Sequence, residues 1–484
     1  MDFDTLFEGL AVRHATDSAR DTARYQIKSV ITSPEAACER ALFVATKTPI
    51  SNGRYALASA YARGCRLFLC ASDAYIGEDA TVMLCDDPEQ LLGTLASRVY
   101  GHPAREMTVI GITGSAGKSS VAQMTAQALR HAGRRVGVMD TDGVEIDGVR
   151  TPPSVTAPDA ADIHRALAKM ARNGMEFAIL ELSSYQLLHH AADGIPFAVV
   201  TMTNFFPRHI GQREHPDVAA YRAAKEKLMR QPCALALLPA GKEMACGALR
   251  VFRVGEGGDL WAESVRMRTC FEQPPSTVFR LCEKEGNAEI TLPVIGDMGV
   301  QNALFAAAIC RVVGLSQAQV AGALSRVEVH GRMECLLAQC GRLAFCDSAF
   351  CAEDLAVALS ALRPLTRGRL CVLLGSVGGR AKERRLPLGR TACALADFVY
   401  LTADDPDGED PALICEEMLR GMEEPARALV LTDRRAAIVR AVRELREGDV
   451  LLILAKSHGA WQLVQGRQLP FEERAHVKDA FARS

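Results

Sequence analysis

The chain has 484 residues, 49% of them hydrophobic and 24% charged, with 56 basic against 58 acidic side chains. That length predicts about three domains of roughly 150 residues, each able to bury a core, and the charge balance excludes a bulk field that would draw nucleic acid or an anionic membrane. With no basic n-region or apolar h-region at the N-terminus and no run of about 18 apolar residues, a cytoplasmic protein without membrane insertion is expected.

The first block of the chain contains the apolar run Leu42-Phe-Val-Ala45 and a helical pattern over Leu91–Tyr100. Its end is predicted at the polar segment Gly101-His-Pro-Ala-Arg-Glu106, where Pro and Gly mark a linker. There follows Met107-Thr-Val-Ile-Gly-Ile-Thr-Gly-Ser-Ala-Gly-Lys-Ser-Ser120, an apolar strand that enters a glycine-rich turn and opens a helix. Small residues at such a turn let backbone N–H groups close on phosphate oxygens, and the helix N-terminus favours negative charge. Lys118 can reach outer phosphates and the Ser119 hydroxyl can hold Mg²⁺. The generic Gly-x4-Gly-Lys spacing is missed by one residue, because Ile112 stands where it has glycine; the match is Gly-x-x-Gly-Lys-Ser from Gly114. A plain strand-to-helix turn accounts for the glycines but not for Lys118-Ser119-Ser120.

The central block is read as strands at Val136–Met139, Phe177–Leu182, Ala198–Thr203 and Ala234–Leu238, with a helix over Ala160–Asn173 capped by Asp159 and another over Val218–Met229. Glu181 falls at a strand's carboxyl edge, where open α/β sheets place ligands, although a strand-terminal acid also serves as a solvated or capping residue. By spacing alone, His209 reads as a loop histidine and Lys225, among alanines, as a surface lysine. Leu249–Pro293 is more β-like and loop-rich. After the helix Ser316–Leu324, a second linker is expected near Val329-His-Gly-Arg332. Strands at Leu343–Cys346, Leu370–Leu374, Phe398–Leu401, Leu429–Leu431 and Val450–Leu454 then predict a doubly wound sheet. The 16 cysteines lie mostly within apolar runs and form no Cys-x-x-Cys pair, which predicts buried thiols; the spacing of Cys335, Cys340, Cys346 and Cys351 is poor for zinc. The expected class is α/β with largely parallel sheets in three domains, 1–103, 104–328 and 329–484.

Together, Thr156-Ala-Pro-Asp159, Glu181-Leu-Ser-Ser184, Asp193-Gly-Ile-Pro-Phe197, Tyr221-Arg-Ala-Ala-Lys225, Gly331-Arg-Met-Glu334, Glu409-Asp-Pro411 and Lys456-Ser-His458 follow the phosphate loop in order. This succession resembles the Mur ligase family, three-domain ATP-dependent ligases of peptidoglycan precursor synthesis, and most resembles its UDP-N-acetylmuramoyl-tripeptide synthetases. The likeness covers residues from about 105 to 484 well. It implies an N-terminal α/β domain for a UDP-sugar-type acceptor, a central P-loop ATPase domain and a C-terminal Rossmann-like domain for the amino acid. It implies ATP held by Gly114, Ser115, Gly117, Lys118, Ser119 and Ser120, with Asn302, Arg332 and Asp347 also on the nucleotide. Two Mg²⁺ ions would involve Ser119, Glu181, His209 and a carbamoylated Lys225, and Lys118, Glu181, His209 and Lys225 would carry catalysis. Thr156, Ser183, Ser184, Arg380, Asp404, Asp407 and His458 fall on the substrate side. The implied partners are small molecules, an acceptor carboxylate and an amino acid. The implied chemistry is attack of a carboxylate on the γ-phosphate, giving an acyl phosphate, and displacement of phosphate by an amine.

The departures concentrate at the substrate ends. Ser33-Pro34-Glu35 stands where the family has Asp-Ser-Arg, Arg208 where it has the Asp before its metal-site His, and Phe350, Tyr185 and Ala157 where it has His, His and Thr. Asp404-Asp-Pro-Asp407 replaces Asp-Asn-Pro-Arg, and Gly459 replaces a Glu. An active ligase with altered substrates is therefore expected, and meso-diaminopimelate is not the expected amino acid. Alternatives are a relative acting on another carboxylate in a specialised pathway and a non-catalytic nucleotide-binding subunit; no Asn-Lys-x-Asp segment of a switch GTPase follows the loop.

Overall fold

The computed structural model describes the chain except for residues 16–21, 23, 24, 47–52, 73, 75, 153–156, 208, 209, 211–214, 380, 381, 455–460, 483 and 484. It divides into two compact units, Met1–Asp259 with Ala308–Leu315, and Leu260–Ala307 with Ser316–Ser484.

In the first unit, Arg13–His14, Thr81–Leu84, Leu67–Cys70, Ala41–Val44 and Ser29–Ile31 lie side by side in that order, parallel except for the first pair. A second set runs Ala248–Val254, Cys233–Pro239, Val199–Met202, Thr108–Thr113, Phe177–Glu181 and Val136–Asp140, all parallel. The antiparallel strands Gly143–Ile146 and Val149–Thr151 extend it. Thr108–Thr113 is buried along nearly its whole length because both its neighbours are parallel strands covered by helices. From this strand the chain builds one side of the sheet with Val136–Asp140 and Phe177–Glu181, then the other with Val199–Met202. Its carboxyl end is therefore the switch point at which such sheets bind ligands.

The helix Ala160–Arg172 begins where the Asp159 carboxylate accepts from the Asp162 N–H and ends at Asn173, before Gly174 with φ +67°. Ile163, Ala166, Leu167 and Met170 recur at helical spacing and pack into the sheet core. Leu167 and Met170 are fully buried, and each contributes about 1.5–3 kcal/mol by leaving water. The helix read at Leu91–Tyr100 begins earlier, at Pro88, because Asp87 caps it and proline fits the first helical position.

In the second unit, Leu260–Cys270, Gln273–Glu283 and Gly286–Leu292 form an antiparallel set, so the segment read as β-like and loop-rich is β and mostly strand. Farther along, Glu334–Gln339, Arg342–Asp347, Val450–Leu454, Leu370–Leu374, Phe398–Leu401 and Ala428–Val430 lie in that order, parallel beyond the first pair. Alternate strand residues feed two cores. One packs against the helices Ala352–Leu362, Arg385–Leu395 and Pro411–Arg420; the other packs against Arg434–Arg443 and Glu473–Ala482. Helices on both faces make this sheet doubly wound, as expected. Among the described residues no helix is long and apolar enough to cross a membrane. Cys65, Cys70, Cys346 and Cys371 are buried, but Cys38 and Cys340 are exposed, against the expectation that the thiols lie inside.

Candidate active site at the phosphate loop

The loop leaves the strand at Gly114 and enters the helix Lys118–His131 at Gly117. Gly114 has φ +150°, and a Cβ there would stand 2.0 Å from Thr203 Oγ1, so only glycine lets the loop lie this close to the next strand's end. Gly117, at φ +78°, takes the left-handed turn into the helix and offers no side-chain cap. The helix's first N–H groups therefore face the loop, where an anion is favoured.

The strand Val199–Met202 supplies the clasp that shapes the loop. Thr203 Oγ1 donates to the Ala116 carbonyl at 2.7 Å, Asn204 Nδ2 donates to the same oxygen at 3.0 Å, and Asn204 Oδ1 accepts from Ala116 N at 2.9 Å. Ser115 Oγ donates to the Phe206 carbonyl at 2.8 Å and accepts from Phe206 N and the Tyr221 hydroxyl, each at 3.1 Å. The Ser115 hydroxyl thus shapes the loop from behind, which is a different use from the phosphate contact expected of it.

Lys118 lies 3.7 Å from Glu181, and Glu181 accepts from Thr141 N at 3.3 Å and Thr141 Oγ1 at 3.1 Å. Ser119 and Ser120 are buried in the first turn. Asp140, one strand over, holds Arg150 at 2.6 Å and Asp142 N at 2.9 Å; burial pushes its carboxyl upward while Arg150 pulls it back. Asp140 and Thr141 were missed from sequence, although they end a strand at the same edge as Glu181. Asn204, directly after the expected strand Ala198–Thr203, was missed as well.

Lys225 is buried rather than on the surface that spacing alone suggested. Its Nζ donates to the Gly114 carbonyl at 2.8 Å and sits 4.8 Å from the centre of the Tyr221 ring. Ser183 and Gln186 form a capping box, so the Ser183 hydroxyl is committed to starting the helix Ser184–Leu188. Ser184 Oγ is 3.0 Å from Nε2 of the buried His215, another residue that sequence reading passed over. Tyr185 packs on His189, which meets Glu89 at 3.1 Å. His209, Thr156, Arg380 and His458 lie outside the described residues.

In the second unit, Asn302 is buried on the helix Asp297–Val312. Asp347 ends its strand and accepts from Met333 N and Ala349 N, each at 2.8 Å; burial pushes its carboxyl up and Arg332 opposes this. Phe350 is exposed, with the Arg384 guanidinium 5.0 Å from its ring centre. Glu409 is gripped bidentately by the fully buried Arg385, both contacts at 2.8 Å. Asp404 is buried just beyond a strand's carboxyl end. The carboxylates of Asp405 and Asp407 accept from Leu463 N and Gly466 N, each at 2.7 Å, fastening the hairpin Trp461–Val464 and Arg467–Pro470. The helix from Pro411 is capped by Asp410.

Residues 112–310 match the Mur ligase middle domain, and residues 331–457 match the Mur ligase glutamate ligase domain. A protein of Rhizobium meliloti named UDP-N-acetylmuramoyl-L-alanyl-D-glutamate–2,6-diaminopimelate ligase is 33% identical over 458 residues, 91% of each chain. Among solved structures, a ligase of that name superposes with a TM-score of 0.67 at 22% identity, covering 96% of both chains. The MurF ligase of Thermotoga maritima, in complex with ADP, superposes with a TM-score of 0.63 at 17% identity, covering 94% of this chain and 97% of its own.

Proposed function

This chain belongs to the Mur ligase family of ATP-dependent amide ligases that make peptidoglycan precursors, and on that premise we propose that it joins an amino acid to UDP-N-acetylmuramoyl-L-alanyl-D-glutamate. The observation that carries the reading is the phosphate loop itself, closed by Thr203 and Asn204 with Lys118 set against Glu181. Residues 1–103 would bind the acceptor, 104–328 ATP and 329–484 the amino acid, in the cytoplasm.

The loop N–H groups and Lys118 would bind and orient the phosphates. The acceptor carboxylate attacks the γ-phosphorus as the bond to ADP breaks, and the amine then attacks the acyl phosphate, releasing phosphate and a proton. Ser119 and Glu181 are hard oxygen donors beside the loop that Gly114 lets close on Thr203, a set that fits Mg²⁺. When bound, Mg²⁺ supplies charge neutralisation on phosphate oxygens. We place His209 and a carbamoylated Lys225 at a second cation. The carbamate nitrogen keeps one hydrogen, so the contact to Gly114 is compatible with the modification. By the family resemblance we assign Asn302, Arg332 and Asp347 to nucleotide binding, and Thr156, Ser184, Arg380, Asp404, Asp407 and His458 to the substrates.

A second reading, another carboxylate acceptor, is favoured by Ser33-Pro34-Glu35. The Ser33 hydroxyl donates to the Glu35 carboxylate, leaving an acid where a diphosphate would be opposed. Phosphate release from the purified protein with ATP, amino acids and a panel of acceptors tests both. Turnover with the UDP-muramoyl dipeptide supports the first, turnover only with other acids supports the second, and absence of turnover refutes both.

A further inference from the structure

Behind the phosphate loop runs a continuous set of buried contacts that ends on the substrate side. His215, 1% exposed, places Nε2 3.0 Å from Ser184 Oγ and sets its ring edge-on to Tyr221, centroids 5.2 Å apart. Tyr221 is fully buried and its hydroxyl reaches Ser115 Oγ in the loop at 3.1 Å. Lys225 lies over the same ring and holds the Gly114 carbonyl. At the other end, Ser184 opens a short helix whose Gln186 Nε2 donates to the Pro158 carbonyl at 3.1 Å, within the segment Thr156-Ala-Pro-Asp159. Asp159 in turn accepts from Thr32.

We propose that His215 is a positioning residue, anchored by Ser184 and acting through Tyr221 to hold Ser115 and Gly114 in the phosphate-binding form of the loop. This rests on the nucleotide-binding part of the proposed function but not on the identity of acceptor or amino acid. The physical reason is that an imidazole buried edge-on to a ring has two orientations of similar shape, and a hydrogen bond at one nitrogen selects between them. Without it the tyrosine loses a fixed wall and its hydroxyl no longer tethers the loop. A residue that contacts no phosphate thereby sets nucleotide affinity, and Ser184, on the acceptor side, does so as well.

The test measures the dissociation constant of a non-hydrolysable ATP analogue with Mg²⁺ by calorimetry, with thermal unfolding recorded for each variant. His215→Leu, Ser184→Ala and Tyr221→Phe should each weaken binding about fivefold to tenfold, the worth of one buried hydrogen bond. His215→Gln, whose Nε2 can still reach Ser184, should recover most of the affinity, and His215→Leu with Ser184→Ala should weaken it no more than either alone. Wild-type affinity in folded His215→Leu, or equal loss in His215→Gln and His215→Leu, overturns the proposal by assigning the histidine a packing role. Should His215→Leu fail to fold, unchanged affinity in Ser184→Ala overturns it equally. Failure of the wild-type chain to bind the analogue refutes the nucleotide reading itself, whereas binding without ligase turnover refutes only the acceptor assignment.

Discussion

Replacing Lys118 by alanine removes one positive charge from the mouth of the loop and should separate catalysis from folding. In the structure Lys118 faces Glu181 at 3.7 Å, with side chains 17% and 6% exposed. At about 4 Å and an effective dielectric near 20, a unit cation and anion attract by about 4 kcal/mol, and a phosphate oxygen at that distance gains on the same scale. Since about 1.4 kcal/mol is tenfold in rate, loss of that attraction as charge gathers on the transferring group predicts a fall in turnover of about 10³-fold or more. The fold loses far less. The ion pair is longer than a hydrogen bond, and Glu181 keeps both contacts to Thr141, so a cost of about 1–2 kcal/mol and a melting temperature lower by a few degrees are expected. The assay is ADP release at saturating acceptor and amino acid, paired with circular dichroism melting. Near-normal turnover in a folded Lys118→Ala chain would refute the phosphate-loop assignment, and an unfolded variant would show that the lysine holds the fold instead.

Lys225→Ala should cut activity at least a hundredfold, and a short carboxylic acid in solution should restore part of it, because the site needs an oxygen anion there rather than an amine; full activity with an unmodified amine by mass spectrometry would remove the carbamate. Glu334 predicts a pH effect on stability. Burial pushes its carboxyl up, but hydrogen bonds from His330 and Gly331 N and the charge of Arg474 outweigh this and bring it down to about 2. Its folded value lies below the ordinary 4.5, so the stabilisation is complete above that pH and lost as pH falls towards 2. Acid titration of Glu334→Gln should therefore show a slope of stability against pH flatter by up to one proton in this window, and an unchanged slope would contradict it. Amino-acid-dependent phosphate release should be lower with meso-diaminopimelate than with lysine, ornithine or alanine, since Asp407 would repel a distal carboxylate by at most about 4 kcal/mol at ~4 Å; a preference for diaminopimelate would sink this.

Much of this was legible in the sequence where one local signal sufficed. The helix Val218–Met229 keeps its expected bounds because Asp217 caps it and a helical pattern follows directly. Leu370–Leu374, Phe398–Leu401 and Val450–Leu454 are continuous apolar runs too short for a buried helix, which leaves a buried strand. The strands Trp461–Val464 and Arg467–Pro470 escaped because they are short and partly or wholly exposed, with no clean alternation. In the site, Lys118 and Glu181 were legible because loop spacing and strand ends are properties of the chain itself. His215, Tyr221 and Asn204 act through partners far away in sequence, such as Ser184 for His215, Ser115 for Tyr221 and Ala116 for Asn204, and no local pattern encodes such meetings. The contact of Asp407 with the hairpin was hidden for the same reason, its partner being Gly466.

That last contact bears on how this protein's amino-acid preference could change. Asp407 sits at φ +48°, where a long side chain costs about 1 kcal/mol, and its carboxylate accepts from Gly466 N in the hairpin turn. An arginine at this position would bring a cation for a distal carboxylate and give up that one side-chain contact, while the backbone hydrogen bonds from Asp407 N to the Leu463 carbonyl and from Gln465 N to the Asp407 carbonyl stay in place. A change of preference at this position therefore carries a modest stability cost, and a library that varies 407 together with 463–466 would let the turn compensate for it.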